Sequence, residues 1–171
     1  MSIATRAHAP IRMVVFDHDD STGKVREAVR PLRASSRLEF VACDDVDQFV
    51  QALAEPAELL VVMTHGDEDG GFRSGGDEEP HPRELLPALR CRALLSFVCD
   101  HGGDALWATD ANGAVTRLVN DQLVHTADIL RILDVLGAND FGANRSGLLG
   151  LLRATRNRFP KISARWRIVS A

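Results

Sequence analysis

Two apolar runs, each followed at once by chemically reactive side chains, constrain the fold of this chain more than any other feature. The first run covers residues 59–63 and leads into 64–66, Thr-His-Gly. The second covers residues 93–98 and leads into 99–103, Cys-Asp-His-Gly-Gly. Apolar runs of this length without alternation are typical of strands that are buried on both faces of a parallel sheet. The chain is therefore expected to fold around a sheet that helices cover on both sides.

The segments up to the first of these runs alternate between strand and helix patterns, in the order β-α-β-α-β. Because the connections are short, right-handed crossovers and a mostly parallel sheet are expected. Pro31 stands inside the first helical pattern and should kink or shorten that helix. The segments are strands at 11–16, 38–43 and 59–64, with a first helix capped by Ser21 or Thr22 and a second capped by Asp44 or Asp45.

The part of the chain after the second run has a less regular pattern. The dipeptide at 112–113, Asn-Gly, stands between two β-rich runs, 105–109 and 114–118, and indicates a hairpin. Beyond the hairpin, helices are expected near 123–137 and 146–157, and a last strand is expected at 166–169.

Composition limits the partners and the compartment. The 171 residues, 45% of them apolar, are expected to form one α/β domain at 11–171 behind a flexible segment at 1–10. The net charge of -4 and the aromatic content of 5% predict no nucleic-acid partner. No apolar run approaches the ~20 residues of a membrane span, so no membrane association is expected. Three cysteines, an odd and sparse count, fit a reducing, cytoplasmic compartment.

His65 and Cys99 are the candidate catalytic pair. The carboxyl ends of neighbouring parallel strands meet at one edge of a sheet, so these two side chains are expected to lie close together. A Cys nucleophile reacts as its thiolate and needs a base, which an imidazole supplies. The amide of Gly66 is a candidate oxyanion donor. Asp17 and Asp100 are candidate substrate-binding acids that would favour a basic residue beside the scissile bond.

The motifs at 64–70, Thr-His-Gly-Asp-Glu-Asp-Gly, and 96–103, Ser-Phe-Val-Cys-Asp-His-Gly-Gly, resemble those of the caspase-like cysteine peptidases, including bacterial CHAT-type domains. In that family His-Gly follows the third strand and the catalytic Cys follows the fourth. The resemblance covers roughly residues 11–103. It implies a three-layer α/β sandwich of caspase-like or flavodoxin-like type with a mostly parallel central sheet. It also implies that Cys99 attacks a peptide bond of a peptide or protein substrate, with His65 as base and Gly66 as oxyanion donor.

A second motif, Phe-Asp-His-Asp-Asp-Ser at 16–21, looks like the Asp-x-Asp-x-Thr/Ser signature of haloacid-dehalogenase-type phosphatases. That resemblance implies a Mg²⁺-dependent phosphatase in which Asp17 is the nucleophile, Asp19 the acid/base and Thr64 a phosphate contact. Carboxylates clustered at a strand end suit Mg²⁺. The structural alternative is that these acids cap the first helix and complement its dipole.

Acids after the first strand and regular β-α alternation also resemble the receiver domains of response regulators. The third strand of a receiver ends in a phosphoacceptor Asp, whereas this chain has Met-Thr-His at 63–65. A non-catalytic module that binds a signalling partner, or an inactive member of the caspase-like group, is therefore the alternative to an enzyme. The His, Cys and Asp residues at the strand ends contain no ligand pair with the tight spacing of a zinc finger or ribbon, so no metal site and no cofactor are predicted.

Overall fold

The computed structural model describes residues 10–98 and 102–170, so the segment expected to be flexible lies almost wholly outside the described residues. The strands are β1 (Ile11–Phe16), β2 (Leu38–Ala42), β3 (Leu59–Gly66), β4 (Phe72–Arg73), β5 (Ala93–Val98), β6 (Thr116–Asn120) and β7 (Trp166–Val169). The helices are α1 (Ser21–Ala28), α2 (Arg30–Ala34), α3 (Val46–Ala54), α4 (Gly102–Ala105), α5 (Thr126–Ala138) and α6 (Arg145–Arg158).

The described residues form an α/β fold around one mostly parallel sheet, which confirms the expected class. Six strands run in the order β2-β1-β3-β5-β6-β7, and the short β4 pairs with the end of β3. All neighbours on this path are parallel except β6 and β7, which are antiparallel. The order reverses between β1 and β3, because the chain goes from β1 to one side and from β3 to the other. Such a reversal opens a crevice at the carboxyl ends of the strands.

Helices cover both faces of the sheet, as in a three-layer sandwich. Helices α1, α5 and α6 pack on one face through apolar residues such as Val25, Leu133 and Leu151. Helix α3 covers the other face, where Phe49 stacks on Phe16 of β1 with ring centroids 5.1 Å apart. No helix in the described ranges has the length and hydropathy that a bilayer crossing requires.

Local signals explain where several helices begin and end. The carboxylate of Asp45 accepts a hydrogen bond from the backbone N–H of Gln48 and caps α3, as expected. The side chain of Asn144 caps α6 in the same way, through the N–H of Gly147. The predicted break at Pro31 is confirmed: α1 ends at Ala28, and α2 begins anew with the proline in its first turn.

The predicted hairpin around Asn112 is wrong. Residues 110–112 form a 3-10 turn, and β6 lies parallel to β5 rather than antiparallel to a preceding strand. The side-chain oxygen of Asn112 instead accepts a hydrogen bond of 2.8 Å from the buried N–H of Leu89. An Asn-Gly pair favours a turn of the chain, but it does not determine whether paired strands flank that turn. Here the turn is held by the hydrogen bond to Leu89 instead.

Candidate functional site

The ends of β1 and β3 bring a carboxylate and an imidazole together at the carboxyl edge of the sheet. Phe16 pairs in register with Thr64, so Asp17 and His65 follow at neighbouring positions. Asp17 Oδ2 lies 3.2 Å from His65 Nε2. The Asp17 side chain is 2% exposed and that of His65 is 33% exposed, so the acid is buried behind a ring that solvent reaches.

Three further donors surround the Asp17 carboxylate. The N–H groups of Asp19 and Gly75 donate to Oδ1, and the hydroxyl of Ser21, whose single proton Asp17 shares with Asp19, lies beside Oδ2, each at 3.3 Å. Burial alone raises the pKa of Asp17, but the hydrogen bond and charge of His65 and the two backbone N–H groups outweigh it. The net result is a lowered pKa. Asp17 is therefore a carboxylate at neutral pH, although it is almost inaccessible to water.

Gly75 is the site residue that sequence reasoning missed. A Cβ at this position would lie 2.9 Å from Asp17 Oδ1 and 3.2 Å from His65 Nε2, which is too close for an alanine without movement. The absence of a side chain thus lets the loop after β4 close over the Asp17–His65 pair. In the sequence, Gly75 is only one of a Gly-Gly pair in the loop at 67–82, which we call the acidic loop. Nothing in the neighbouring residues links this pair to Asp17, which stands 58 positions earlier.

The acidic loop that carries Gly75 is held in shape by its own polar side chains. Asp67 Oδ1 accepts hydrogen bonds from the N–H groups of Asp69 and Gly71, and Gly70 takes a positive φ of 82° that completes this tight turn. Asp77 accepts from the backbone N–H of Ser74. The loop is therefore a built structure whose exposed acids stand at fixed positions beside the site.

The predicted nucleophile Cys99 and the predicted substrate contact Asp100 lie outside the described residues. The strand before them is described: Val98, the last residue of β5, pairs in register with Thr64, the residue before His65. Gly66, the predicted oxyanion donor, ends β3 opposite Phe72 of β4. The oxyanion role of Gly66 and the substrate role of Asp17 stay predictions.

The segment after Cys99 and Asp100 is tied to both neighbouring strands. The indole N–H of Trp107 donates to the hydroxyl of Ser96 on β5 at 2.8 Å. Asp104 in α4 forms an ion pair of 3.1 Å with Arg117 of β6, whose side chain is 8% exposed. These two contacts hold residues 104–107 against β5 and β6.

Two of the three thiols are described, and both are poor nucleophiles. Burial, with the nearby charges of Asp44 and Asp45, raises the pKa of Cys43 to about 11. Burial raises the pKa of Cys91 to about 12. Because these pKa values lie far above neutral pH, neither thiol has an appreciable thiolate fraction there, and only the thiolate reacts as a nucleophile.

Donor atoms of Asp17, Asp19 and His65 lie within 4.8 Å of one another, which is the spacing of a small metal site. The oxygens are already engaged, however, since Asp19 accepts from both the N–H and the hydroxyl of Ser21. Thr64, the phosphate contact implied by the phosphatase resemblance, is 2% exposed and donates its hydroxyl to the carbonyl of Arg73. The arrangement suits a positioned imidazole better than an open metal site.

Comparisons of this chain with models of protein families, with curated proteins and with solved structures found no match. Functional inference therefore depends on the chemistry of the residues at the carboxyl edge.

Proposed function

We propose that this protein is a caspase-like cysteine hydrolase that cleaves peptide bonds with Cys99 as nucleophile and His65 as base. The observation that carries the proposal is the contact of the partly exposed His65 ring with the buried Asp17 carboxylate, at the end of a strand adjacent to β5. A base held by a buried acid beside a crevice is the arrangement that activates a nucleophile.

The register of the sheet supports a short distance between the two reacting groups. Thr64 and Val98 are paired across β3 and β5, and His65 and Cys99 are the next residues along the chain. Neighbouring parallel strands lie about 4.8 Å apart. The position of Cys99 beside His65 is part of the proposal.

Asp17 would act as a positioning residue. Its carboxylate contacts Nε2 of the His65 ring, and Nδ1 is the nitrogen that the proposal assigns to the thiol proton. A buried acid in this place fixes the ring orientation and stabilises the imidazolium that forms. This role suits a side chain that is 2% exposed better than direct contact with substrate does.

The proposed reaction has two half-reactions. His65 takes the proton of the Cys99 thiol, and the thiolate attacks the carbonyl carbon of the substrate. The C–N bond breaks, His65 returns the proton to the leaving amine, and an acyl-enzyme thioester forms. Water, deprotonated by His65, then hydrolyses the thioester and regenerates the thiol. The backbone N–H of Gly66 is the proposed donor to the oxyanion.

The order of the strands agrees with what the family resemblance implies. With the short β4 left aside, β3 is the third strand along the chain and ends with His65 and Gly66. The fourth strand is β5, which ends one residue before Cys99. The first five strands of the path follow the flavodoxin-like order 2-1-3-4-5. In substrate recognition, the acidic loop and Asp100 would favour a basic residue next to the scissile bond.

A thiol-directed peptide probe tests the proposal. Near neutral pH, the probe should label Cys99 much faster than it labels Cys43 or Cys91, because the pKa values of about 11 and about 12 keep those two thiols protonated. Mass spectrometry locates the label. Cys99→Ala should abolish labelling and Cys91→Ala should leave it unchanged; a Cys99 that reacts no faster than free glutathione would refute the hydrolase.

The second candidate is the Mg²⁺-dependent phosphatase, which the grouped donor atoms of Asp17, Asp19 and His65 favour. Turnover of a generic phosphate ester that requires Mg²⁺ and is lost in Asp19→Asn would support it. Absence of turnover together with an unreactive Cys99 would leave the non-catalytic signalling module as the remaining function.

A further inference from the structure

The charge of the chain is distributed unevenly. Residues 141–171 contain seven Lys and Arg and no Asp or Glu, although the net charge of the whole chain is -4. All seven cationic residues are exposed. The C-terminal part of the fold is therefore basic, although the chain as a whole has a negative net charge. The seven residues are Arg145, Arg153, Arg156, Arg158, Lys161, Arg165 and Arg167.

Four of these residues, which we call the basic corner, lie in the second half of α6 and on the chain between α6 and β7: Arg153, Arg156, Lys161 and Arg165. Arg156 donates a hydrogen bond of 2.8 Å to the carbonyl of Trp166, which places α6 beside the start of β7. Trp166 pairs with the last residue of β6, so the corner stands at the carboxyl edge of the sheet. None of the four forms an ion pair with another described residue, whereas Arg158 and Arg167 do.

Four acids at the same edge form a surface of opposite charge, which we call the acidic rim: Glu68, Asp69, Glu78 and Glu79. All are exposed, and within the described ranges none is in an ion pair. They belong to the loop after β3, which the hydrogen bond from Gly75 to Asp17 anchors to the site. The rim is therefore fixed relative to the sheet.

The two surfaces flank one edge in a way that makes it self-complementary. The rim follows β3 and the corner precedes β7, with three strand spacings between those strands, roughly 14 Å. A two-fold axis through this edge would place the rim of each chain against the corner of the other. An isologous contact of this kind repeats itself and closes at two copies.

We propose that two copies of this chain associate through the carboxyl edge, with the acidic rim of each bound to the basic corner of the other. A second copy fits this edge by charge complementarity, because the chain itself supplies both the cationic residues and the matching set of acids outside ion pairs. The contact uses neither His65 nor Cys99, so it can form whether or not the protein is a hydrolase, but in a hydrolase it would compete with substrate for the acids of this loop.

The dimer is expected to be weak and sensitive to salt, because exposed ion pairs are screened by solvent and ions. Sedimentation velocity over a range of protein concentrations measures the dissociation constant. Raising the NaCl concentration from about 0.02 M to about 0.5 M should weaken association at least ~10-fold, since the Debye length falls severalfold. A chain that is monomeric at every concentration in low salt overturns the proposal.

Two charge-reversed variants make the test specific. Glu78→Lys with Glu79→Lys cancels the net charge of the rim, and Arg153→Glu with Arg165→Glu cancels that of the corner. Each variant alone should be monomeric, since in its homodimer both contacts would lose their net attraction. An equimolar mixture should restore association as a heterodimer, because the unchanged rim of one variant then faces the unchanged corner of the other. Failure of the mixture to associate counts against the two-fold arrangement.

Arg90→Glu with Arg92→Glu is the matched control. Both arginines are exposed and lie just before β5, at the opposite edge of the sheet. This variant changes the net charge as much as the corner variant does, but it should dimerise like the wild type. If it loses the dimer equally, association depends on net charge alone and the proposed surfaces are refuted.

Discussion

The two edges of this sheet are formed by the same strands but differ in how their polar groups are satisfied. At the amino edge, backbone groups bond to each other: the N–H of Ile11 donates to the carbonyl of Arg37, and that of Leu59 donates to the carbonyl of Pro10. At the carboxyl edge, the acceptor is a side chain: the Asp17 carboxylate accepts hydrogen bonds from the backbone N–H groups of Asp19 and Gly75.

The difference follows from the direction of the chain at each edge. The segments that follow β1 and β3 pack on opposite faces of the sheet, and the contact between them at this edge runs through the Asp17 side chain, which accepts from the N–H of Gly75. Buried polar groups must still be satisfied, and side chains such as Asp17 and Ser21 satisfy them here. Reactive side chains thus collect where the backbone leaves space, and four substitutions test this contrast.

The largest effect is expected for His65→Ala at the carboxyl edge. Removing the proposed base should lower the rate of Cys99 labelling by the peptide probe by about 100-fold or more. His18→Ala is the control, because His18 is exposed and follows Asp17 in the same loop. Equal labelling rates in the two variants would show that His65 does not activate the thiol.

Asp17→Asn should lower the free energy of unfolding at neutral pH by about 1.5–3 kcal/mol, because it removes a buried acceptor that is charged. The pKa of Asp17 is lowered by folding, so its contribution is present above the unfolded pKa of about 3.9 and is lost as the pH falls through the folded value.

Urea unfolding of the wild type and of Asp17→Asn at a series of pH values measures this contribution. The difference between the two proteins should shrink steadily below about pH 4. Asp20→Asn serves as the control, since Asp20 is exposed and its side chain makes no capping hydrogen bond to α1. A difference that is independent of pH would mean that the charge of Asp17 contributes nothing.

Gly75→Ala should destabilise the protein by about 1–2 kcal/mol, because the new methyl group must displace Asp17 or His65. It should also slow Cys99 labelling. Gly76→Ala is the matched control, since a Cβ there lies 3.7 Å from the nearest atom of His18, an ordinary contact. Thermal unfolding and probe labelling of both variants provide the comparison; similar results at 75 and 76 would argue against a close fit at this site.

The smallest effect is expected at the amino edge. Asp140→Asn removes an ion pair of 3.4 Å with Arg37, in which the Asp140 side chain is 96% exposed. An exposed pair of this kind contributes at most about 0.5 kcal/mol, so unfolding and labelling should be nearly unchanged. A loss as large as that of Asp17→Asn would remove the contrast between the two edges.

Local signals in the sequence predicted most of the first half of the fold. The apolar runs gave β1, β3 and β5 within a residue or two, and Asp45 and Pro31 marked the start of α3 and the break before α2. These signals are reliable because burial and capping act on neighbouring residues. Residues 83–85 form only a 3-10 turn, because Pro87 cannot donate the hydrogen bond that a longer helix requires.

The sequence by itself determined that an imidazole and a carboxylate stand at strand ends, since an apolar run stops where polar residues begin. Only the tertiary structure decided that Asp17 faces His65, that Gly75 closes over them, and that Asn112 bonds to Leu89 instead of forming a hairpin. These contacts join residues far apart in the chain, and their partners are selected by sheet register and packing. Neither leaves a periodic signal in the residues themselves.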